Sequence, residues 1–423
     1  MTQRNLVTRV VLALVLASAA ASIAPAQSLS SRIASASGRS VQFSYPARPG
    51  VCGDGRTYIS TSPGNFYGSY SSMSSEQCAA GPVRVVADVA DRNVIALRTF
   101  VGGEADAGVT SLGSVTAAEA ADYLLGVAAR ADGRVGRDAI FAASLADKID
   151  LTPKLLDIAR DQNRPLETRR AALSGLSRAE PGQLDRVGSA LVQIATNEGD
   201  VRSVRSSALT VLARLDHGAG ITPLIQLASG NITSWIGRES LTVLARSGDP
   251  RARQFLRTTI QRTDLADDVQ AAAIRGLGRE YVTGQDANLL RSLFPRLTGQ
   301  ASRSAVLSAI ADLGGTDNIQ WLTGIVRDDR QPSETRRRAL EYLTRAGATP
   351  AMLVGLYDAT TDTDLRQSLI NTYARLNDKG ATDKLVWIAR NDQNLTLRRR
   401  AVSALSRNSD PAIRQVMADI IER

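Results

Sequence analysis

The chain has 423 residues and a formal charge of +9, from 51 Lys and Arg against 42 Asp and Glu. Hydrophobic residues make up 43% but aromatics only 4%, so the core must rest on Ala, Leu, Ile and Val; 22% charged residues argue against disorder and against a wholly membranous chain. One His (His217) and two Cys (Cys52 and Cys78) exclude a His-rich or four-cysteine zinc site and a four-thiolate iron–sulfur cluster.

Arg4 and Arg9 precede an apolar run from Val10 to Ile23, too short for a comfortable membrane span. Ala24-Pro25-Ala26 follows as a small-residue cleavage site. The pattern predicts a secretory signal peptide over 1–26 and a mature chain from Gln27, periplasmic or secreted. No later stretch is apolar enough to span a bilayer. In an oxidising compartment two Cys normally pair. A Cys52–Cys78 bridge closes a loop of about 27 residues, worth about 3–4 kcal/mol in the loop-entropy model. Redox-active pairs usually sit in C-x-x-C, so a structural bridge is expected.

Residues 41–101 concentrate aromatics, with Phe43, Tyr45, Tyr58, Phe66, Tyr67, Tyr70 and Phe100, and many Pro, Gly and Ser. Val41 to Tyr45 alternates with period two. Val83–Val89 and Val94–Val101 flank Ala90-Asp91-Arg92-Asn93, which predicts a hairpin. A small β-rich module over 27–104 is expected, stapled by Cys52–Cys78, with Gly102–Gly108 as its exit linker. Ser60 to Ser75, rich in Ser, Tyr and Gly, reads as a loop inside the disulfide ring, open to a contact role.

From Ser114 the period becomes helical, with Thr116 and Glu119 as a capping box. Nine segments then align, ending at Phe141, Leu173, Leu209, Leu241, Ile274, Leu307, Leu340, Ile370 and Val402. These anchors recur about every 33 residues, a period that means stacked supersecondary units. A second apolar residue follows three positions later in nearly every unit, on the same helical face. Partner helices carry their own stripes, such as Leu155, Leu156, Ile158 and Ala159, or Leu385, Val386, Ile388 and Ala389. Nine helix pairs and a closing helix, Pro411–Glu422, are expected over 114–423.

The pattern Asp200, Val204, Arg205, Ala208, Leu209 and Leu212, with Gly248-Asp249-Pro250 and Asp410-Pro411 in linking turns, is similar to the short HEAT repeat of the phycobilisome-lyase type. The resemblance covers roughly 114–423 and implies a mainly α fold, an α-solenoid of about nine helix pairs. It names no function, because such repeats serve scaffolds of many kinds. It also implies a ladder role, paired with turn carboxylates, for the recurrent Arg137, Arg169, Arg205, Arg238, Arg303, Arg336, Arg366 and Arg398. Gln270 stands where the fifth unit should carry Arg, so an altered rung is expected there.

Further arginines lie off the core face of the second helices: Arg170, Arg337, Arg338, Arg399 and Arg400. They are either solvated surface or a candidate binding face for carboxylate or phosphate groups. Other chemistry is missing from the sequence: no nucleophile elbow, Ser-x-x-Lys, P-loop or complete EF-hand occurs. His217 sits in an inter-helix turn and reads as a loop residue. The carboxylate pairs Asp267-Asp268 and Asp328-Asp329 fall at helix boundaries, where caps belong. No catalytic residue, metal ligand or cofactor is assigned.

The function this supports is an exported, non-enzymatic scaffold for an unidentified protein partner. The alternative is a binder of anionic envelope polysaccharide or lipid head groups, marked by steep salt dependence. A second alternative is an enzyme sited in residues 41–101, marked by turnover in that module alone. Export argues against nucleic acid.

Overall fold

The computed structural model describes residues 27–36, 38–56, 58–62, 65–68, 78–104, 106–131, 133–278, 283–376, 378–407, 413–415 and 417–418. Residues 1–26, where the sequence predicts a signal peptide, residues 63, 64 and 69–75 of the Ser-Tyr segment and most of the predicted closing helix lie outside the described residues. Contacts divide the chain into two compact units, Met1–Leu151 and Thr152–Arg423.

The first described element of this unit is α1 (Leu29–Ser35), for which the sequence carries no signal; Ser28 caps it by accepting from the Ser31 amide. A four-stranded sheet follows, built from β1 (Ser40–Tyr45), β5 (Val83–Ala90), β6 (Asn93–Val101) and β7 (Thr110–Ser114) in the order β6-β5-β1-β7. All its pairings are antiparallel except β1 with β7. A second sheet of three strands comprises β2 (Cys52–Gly53), β3 (Tyr58–Ser62) and β4 (Asn65–Gly68). The expected hairpin is β5–β6. Its turn places Asp91 and Arg92 at φ +49° and +63°, the doubly left-handed turn that suits twisted strands.

The Cys52–Cys78 disulfide is present, with Cα atoms 5.2 Å apart. It holds the chain after the loop against β2, where Gly53 and Ala79 exchange two backbone hydrogen bonds of 3.0 Å.

Gly102–Gly108 is not an exit linker. It carries the chain to β7, which returns to the same sheet beside β1. Gly103 packs so closely on Gly55 that a Cβ would sit 2.8 Å from the Gly55 Cα, and its φ of +72° also demands glycine. Gln42 pins the loop by donating to the Asp106 carbonyl (3.0 Å) and accepting from the Asp106 amide (3.2 Å). These bonds explain why Gln42 is buried on the face where simple alternation predicts exposure.

Two helices complete this unit, α2 (Ala117–Arg130) and α3 (Gly133–Ala143). Thr116 caps α2 as expected, accepting from the Glu119 amide at 3.1 Å. The Glu119 carboxylate does not close the box, however; it accepts from the Leu29 amide at 2.8 Å and so secures α1. Phe43 of β1 meets Tyr123 of α2 edge-on, and the buried Tyr45 hydroxyl donates to the Ala142 carbonyl at 2.6 Å. The first helix pair of the series therefore packs on the sheet. The compact unit ends at Leu151, although the sequence periodicity starts the helical array at 114.

Among its described residues the second unit holds eight consecutive helix pairs. The first helices are α4 (Thr152–Arg160), α6 (Leu184–Thr196), α8 (Ile221–Gly230), α10 (Pro250–Thr259), α12 (Gly284–Leu293), α14 (Thr316–Arg327), α16 (Pro350–Asp358) and α18 (Lys379–Asn391). The second helices are α5 (Leu166–Leu176), α7 (Arg202–Leu212), α9 (Trp235–Leu244), α11 (Asp267–Leu277), α13 (Gln300–Leu313), α15 (Ser333–Arg345), α17 (Thr363–Tyr373) and α19 (Leu395–Leu405). With α2 and α3 this makes the nine pairs expected.

The seven anchors from Leu173 to Ile370 are at most 1% exposed, whereas the terminal two, Phe141 and Val402, are half-buried. Each second helix packs on the next without interruption from α5 to α19, whereas the first helices pack closely on one another only in places, as at α16 and α18. Small residues permit this. A Cβ on Gly278, the residue that closes α11, would come within 2.4 Å of the Ala309 Cβ on α13.

Candidate interaction surface

The recurrent arginines sit at the start of the second helices, and their guanidinium groups perform a repeated task. Arg169, Arg205 and Arg336 each donate through Nε to the carbonyl ten residues back, Ala159, Ala195 and Val326, at 2.9 Å. Those carbonyls lie at or beside the C-terminal ends of the preceding first helices, which carry unpaired acceptors and the negative end of the helix dipole. Arg303 and Arg366 reach a carbonyl six residues back instead, Leu297 and Thr360, at 3.1 and 2.8 Å.

The same groups then reach along the stack. Arg169 forms a two-pronged pair with Asp200 of the next turn, Nη1 to Oδ1 at 2.8 Å and Nη2 to Oδ2, with both side chains nearly sealed from solvent. The Arg169 hydrogen bond is the main reason the Asp200 carboxyl is held below its ordinary value. Arg336 donates to Thr360 (2.9 Å) and pairs with Asp362 (3.4 Å). Arg238, exposed, pairs with Asp268 at 3.3 Å. Three rungs use an aromatic face: Arg205 lies 4.5 Å over Trp235 of the next unit, Arg303 lies 4.2 Å over Phe294, and Arg366 lies 5.0 Å over Tyr357. Arg137 is exposed and pairs with its neighbour Asp138. Arg398, exposed, has no side-chain partner among the described residues.

Gln270 keeps half of the rung. Its amide donates to the Ile260 carbonyl, also ten residues back, at 3.0 Å, but it carries no charge to extend across the stack. The connection there runs through a carboxylate. Asp267 on α11 accepts from the Ala301 amide (2.8 Å) and the Ser302 amide (2.9 Å), capping α13, which has no side-chain cap of its own. Burial pushes the Asp267 carboxyl upward, but hydrogen bonds from Ser302 and Ala301 outweigh it and lower it.

The off-core arginines do not gather into one patch. Arg170 on α5 donates to Ser207 on α7 at 3.3 Å. Arg337 and Arg338 on α15 share one carboxylate, Glu334. Arg400 on α19 donates to Asn371 (3.1 Å) and Gln367 (3.2 Å) on α17. Arg399 is exposed without a side-chain partner among the described residues. Arg338 also borders an open groove of about 490 Å³ on the second-helix layer. Arg275 of α11, Ser304 and Ser308 of α13 and Tyr342 of α15 line it with Asp267 at one end. The lining offers guanidinium and hydroxyl groups beside Ala301 and Ala305, which suits hydrogen bonding to a partner surface.

One cluster escapes sequence reasoning. Asp286 on α12 is fully buried between Arg253 (2.9 Å) and Arg257 (2.6 Å) of α10, and closes a capping box with Thr283. Burial would raise its carboxyl; hydrogen bonds from Arg257 and Thr283 outweigh that and keep it ionised. The i,i+4 spacing of Arg253 and Arg257 and the Thr283-x-x-Asp286 capping pattern are its sequence signals, and neither shows that the two meet.

Among the described residues no group of three or more His, Cys, Asp or Glu is placed to hold a metal ion, and no helix is long and apolar enough to cross a membrane. His217 is exposed in the turn before α8 at φ +55°.

Residues 188–278 match the family model of HEAT repeats. Solved structures resemble the chain at low identity. A human deoxyhypusine hydroxylase in complex with glycerol is 17% identical, covering 56% of this chain and 96% of that one, with a TM-score of 0.27. A homology model of the AP-3 complex in an intermediate open conformation is 15% identical over 72% of each chain, with a TM-score of 0.29. The complex of CpcE and CpcF of phycocyanin lyase from Nostoc is 16% identical, covering 64% and 95%, with a TM-score of 0.23. Superpositions of that quality carry nothing about activity or partners. No curated protein matches the chain.

Proposed function

We propose that this chain, a HEAT-repeat protein, is an exported, non-catalytic scaffold that holds a protein partner along its second-helix layer. The observation that carries the reading is the uninterrupted packing of second helices from α5 to α19, which presents one continuous face with a polar groove across α11, α13 and α15. Continuous faces of stacked repeats are the usual binding surfaces of such arrays. The non-catalytic reading is supported by the state of the carboxylates. Asp200, Asp267, Asp286 and Asp362 are all lowered by their hydrogen-bond partners, which suits permanent ion pairs and caps rather than proton transfer near neutrality. Export is supported by the n-region, apolar run and cleavage site over 1–26 and by the disulfide.

The test is a pull-down from envelope extract with residues 27–423, beside a variant with Arg170, Arg337, Arg338, Arg399 and Arg400 changed to Ser. One protein recovered by the wild type and lost by the equally folded variant is the expected result. Equal recovery by both would remove these arginines from the site; recovery of nothing would count against a protein partner. N-terminal sequencing of the exported protein should read from Gln27, and an intact Met1 start in the cytoplasm would overturn export.

A further inference from the structure

A second arginine series runs along the opposite ends of the same helices. It occurs five residues after the anchor, in Leu176-Ser-Arg178, Leu212-Ala-Arg214, Leu244-Ala-Arg246, Leu343-Thr-Arg345, Tyr373-Ala-Arg375 and Leu405-Ser-Arg407. Arg279, at the same offset, lies outside the described residues. The backbone repeats with the sequence. The amides of Arg178, Arg214, Arg246, Arg375 and Arg407 each donate to the carbonyl three residues back, at 2.9 to 3.4 Å. All five stand two residues past the last helical one, so their side chains leave from equivalent positions.

All five are exposed. Arg178, Arg214 and Arg246 follow one another on α5, α7 and α9, and none of the three makes a side-chain hydrogen bond or ion pair among the described residues. The row is bounded. At the equivalent place on α13 stands Asp312, which pairs with Arg345 at 3.0 Å. That pair occupies both charges, so the run of three consecutive second helices with unpaired arginines at this offset, among the described residues, is α5, α7 and α9.

We infer that Arg178, Arg214 and Arg246 form a docking row for an extended acidic peptide segment with a carboxylate at every third residue. The inference rests on the scaffold reading and names a partner class for it, at a different edge from Arg170, Arg337 and Arg338. The spacing selects the conformation. Packed helices stand about 8–10 Å apart. A polyproline II segment turns every three residues and rises about 9.3 Å in doing so, which puts every third side chain on one face at that interval. Side chains on one face of a β-strand recur every two residues, about 6.6 Å, and fall out of step with the row. Each guanidinium then meets one carboxylate with no backbone rearrangement.

A structural role is the competing explanation, since a cation past a helix C-terminus interacts favourably with its dipole. Binding separates the two. The probe is a Glu-Pro-Pro repeat peptide of four units, titrated at low and moderate salt against residues 27–423. The control peptide has the same composition with its four Glu in one block. The expected result is tighter binding of the spaced peptide than of the blocked one. At least a tenfold loss is expected in R178S/R214S/R246S, with little change in R375S/R407S and unchanged melting. Equal affinity for both peptides, or full binding by the triple variant, overturns the row. A polyuronate that binds more tightly than the peptide and loses the same factor in the triple variant reassigns the site to acidic polysaccharide and overturns the peptide. Failure of both probes sinks this row alone, because the scaffold reading is judged by the partner pull-down.

Discussion

The two units reach stability by opposite routes. The unit ending at Leu151 joins residues far apart in sequence: Leu29 to Glu119, Tyr45 to Ala142, Gln42 to Asp106, Cys52 to Cys78. Each of these ties occurs once. The unit from Thr152 repeats a few short-range ties: an anchor, its partner three residues on, and a guanidinium to a carbonyl ten residues back. A repeated tie can change type, as Gln270 shows, because neighbouring rungs carry the stack. A unique tie has no neighbour to do so.

The comparison breaks first at Asp286, where the repeat unit depends on a fully buried carboxylate held between two arginines rather than on a repeated tie. Asp286→Ala leaves Arg253 and Arg257 facing a buried gap and should cost about 3–5 kcal/mol, read by urea denaturation. A loss under 1 kcal/mol would mean that water or a rearranged arginine replaces the carboxylate. Cys52→Ser with Cys78→Ser should cost the first unit about 3–4 kcal/mol in the loop-entropy model, while probes in the repeat unit stay unchanged. A common transition for both units in that variant would show that they unfold as one.

Tyr45→Phe removes a single buried hydrogen bond and should cost about 1 kcal/mol. The smallest effect concerns Asp328, whose carboxyl is lowered to about 2 by hydrogen bonds from Arg330 and Gln331. A depressed carboxylate contributes stability that is present above its unfolded value and lost as pH falls through the folded one. The Asp328 contribution therefore fades between about pH 4 and pH 2. In Arg330→Ala its titration, followed by NMR, should move up toward the ordinary value of 3.8. No movement would assign the shift to Gln331.

The repeats were legible because their burial is periodic. Leu173, Leu209, Leu241, Ile274, Leu307, Leu340 and Ile370 hold equivalent places, so one pattern read nine times located every helix pair. The first unit was legible only in parts. The β5–β6 hairpin is a local signal, and the disulfide follows from there being two cysteines. The short α1 and the return of β7 to the sheet left none, because what holds them is Glu119 at one end and Ser44 and Gln42 at the other. The Thr116 cap was visible from neighbouring residues, whereas the destination of the Glu119 carboxylate was not.

The candidate surface divides along the same line. Sequence placed Arg170, Arg337, Arg338, Arg399 and Arg400 on second helices from their offset to the anchors. Their differing states needed the neighbours: Ser207 beside Arg170, Glu334 between Arg337 and Arg338, Asn371 and Gln367 beside Arg400. The groove at Arg338 depends on how far α11, α13 and α15 stand apart, which no single repeat encodes.

The sequence by itself determined the helix pairs, their period, the hairpin and the cysteine pairing, since each is fixed by residues within one repeat or one turn, or by simple count. Only the tertiary structure decided that α2 and α3 close onto the sheet, that Asp286 is enclosed by two arginines, and which arginines remain unpaired. Those outcomes depend on distances between chain segments, and hydrophobic periodicity carries no information about which polar side chains meet across them.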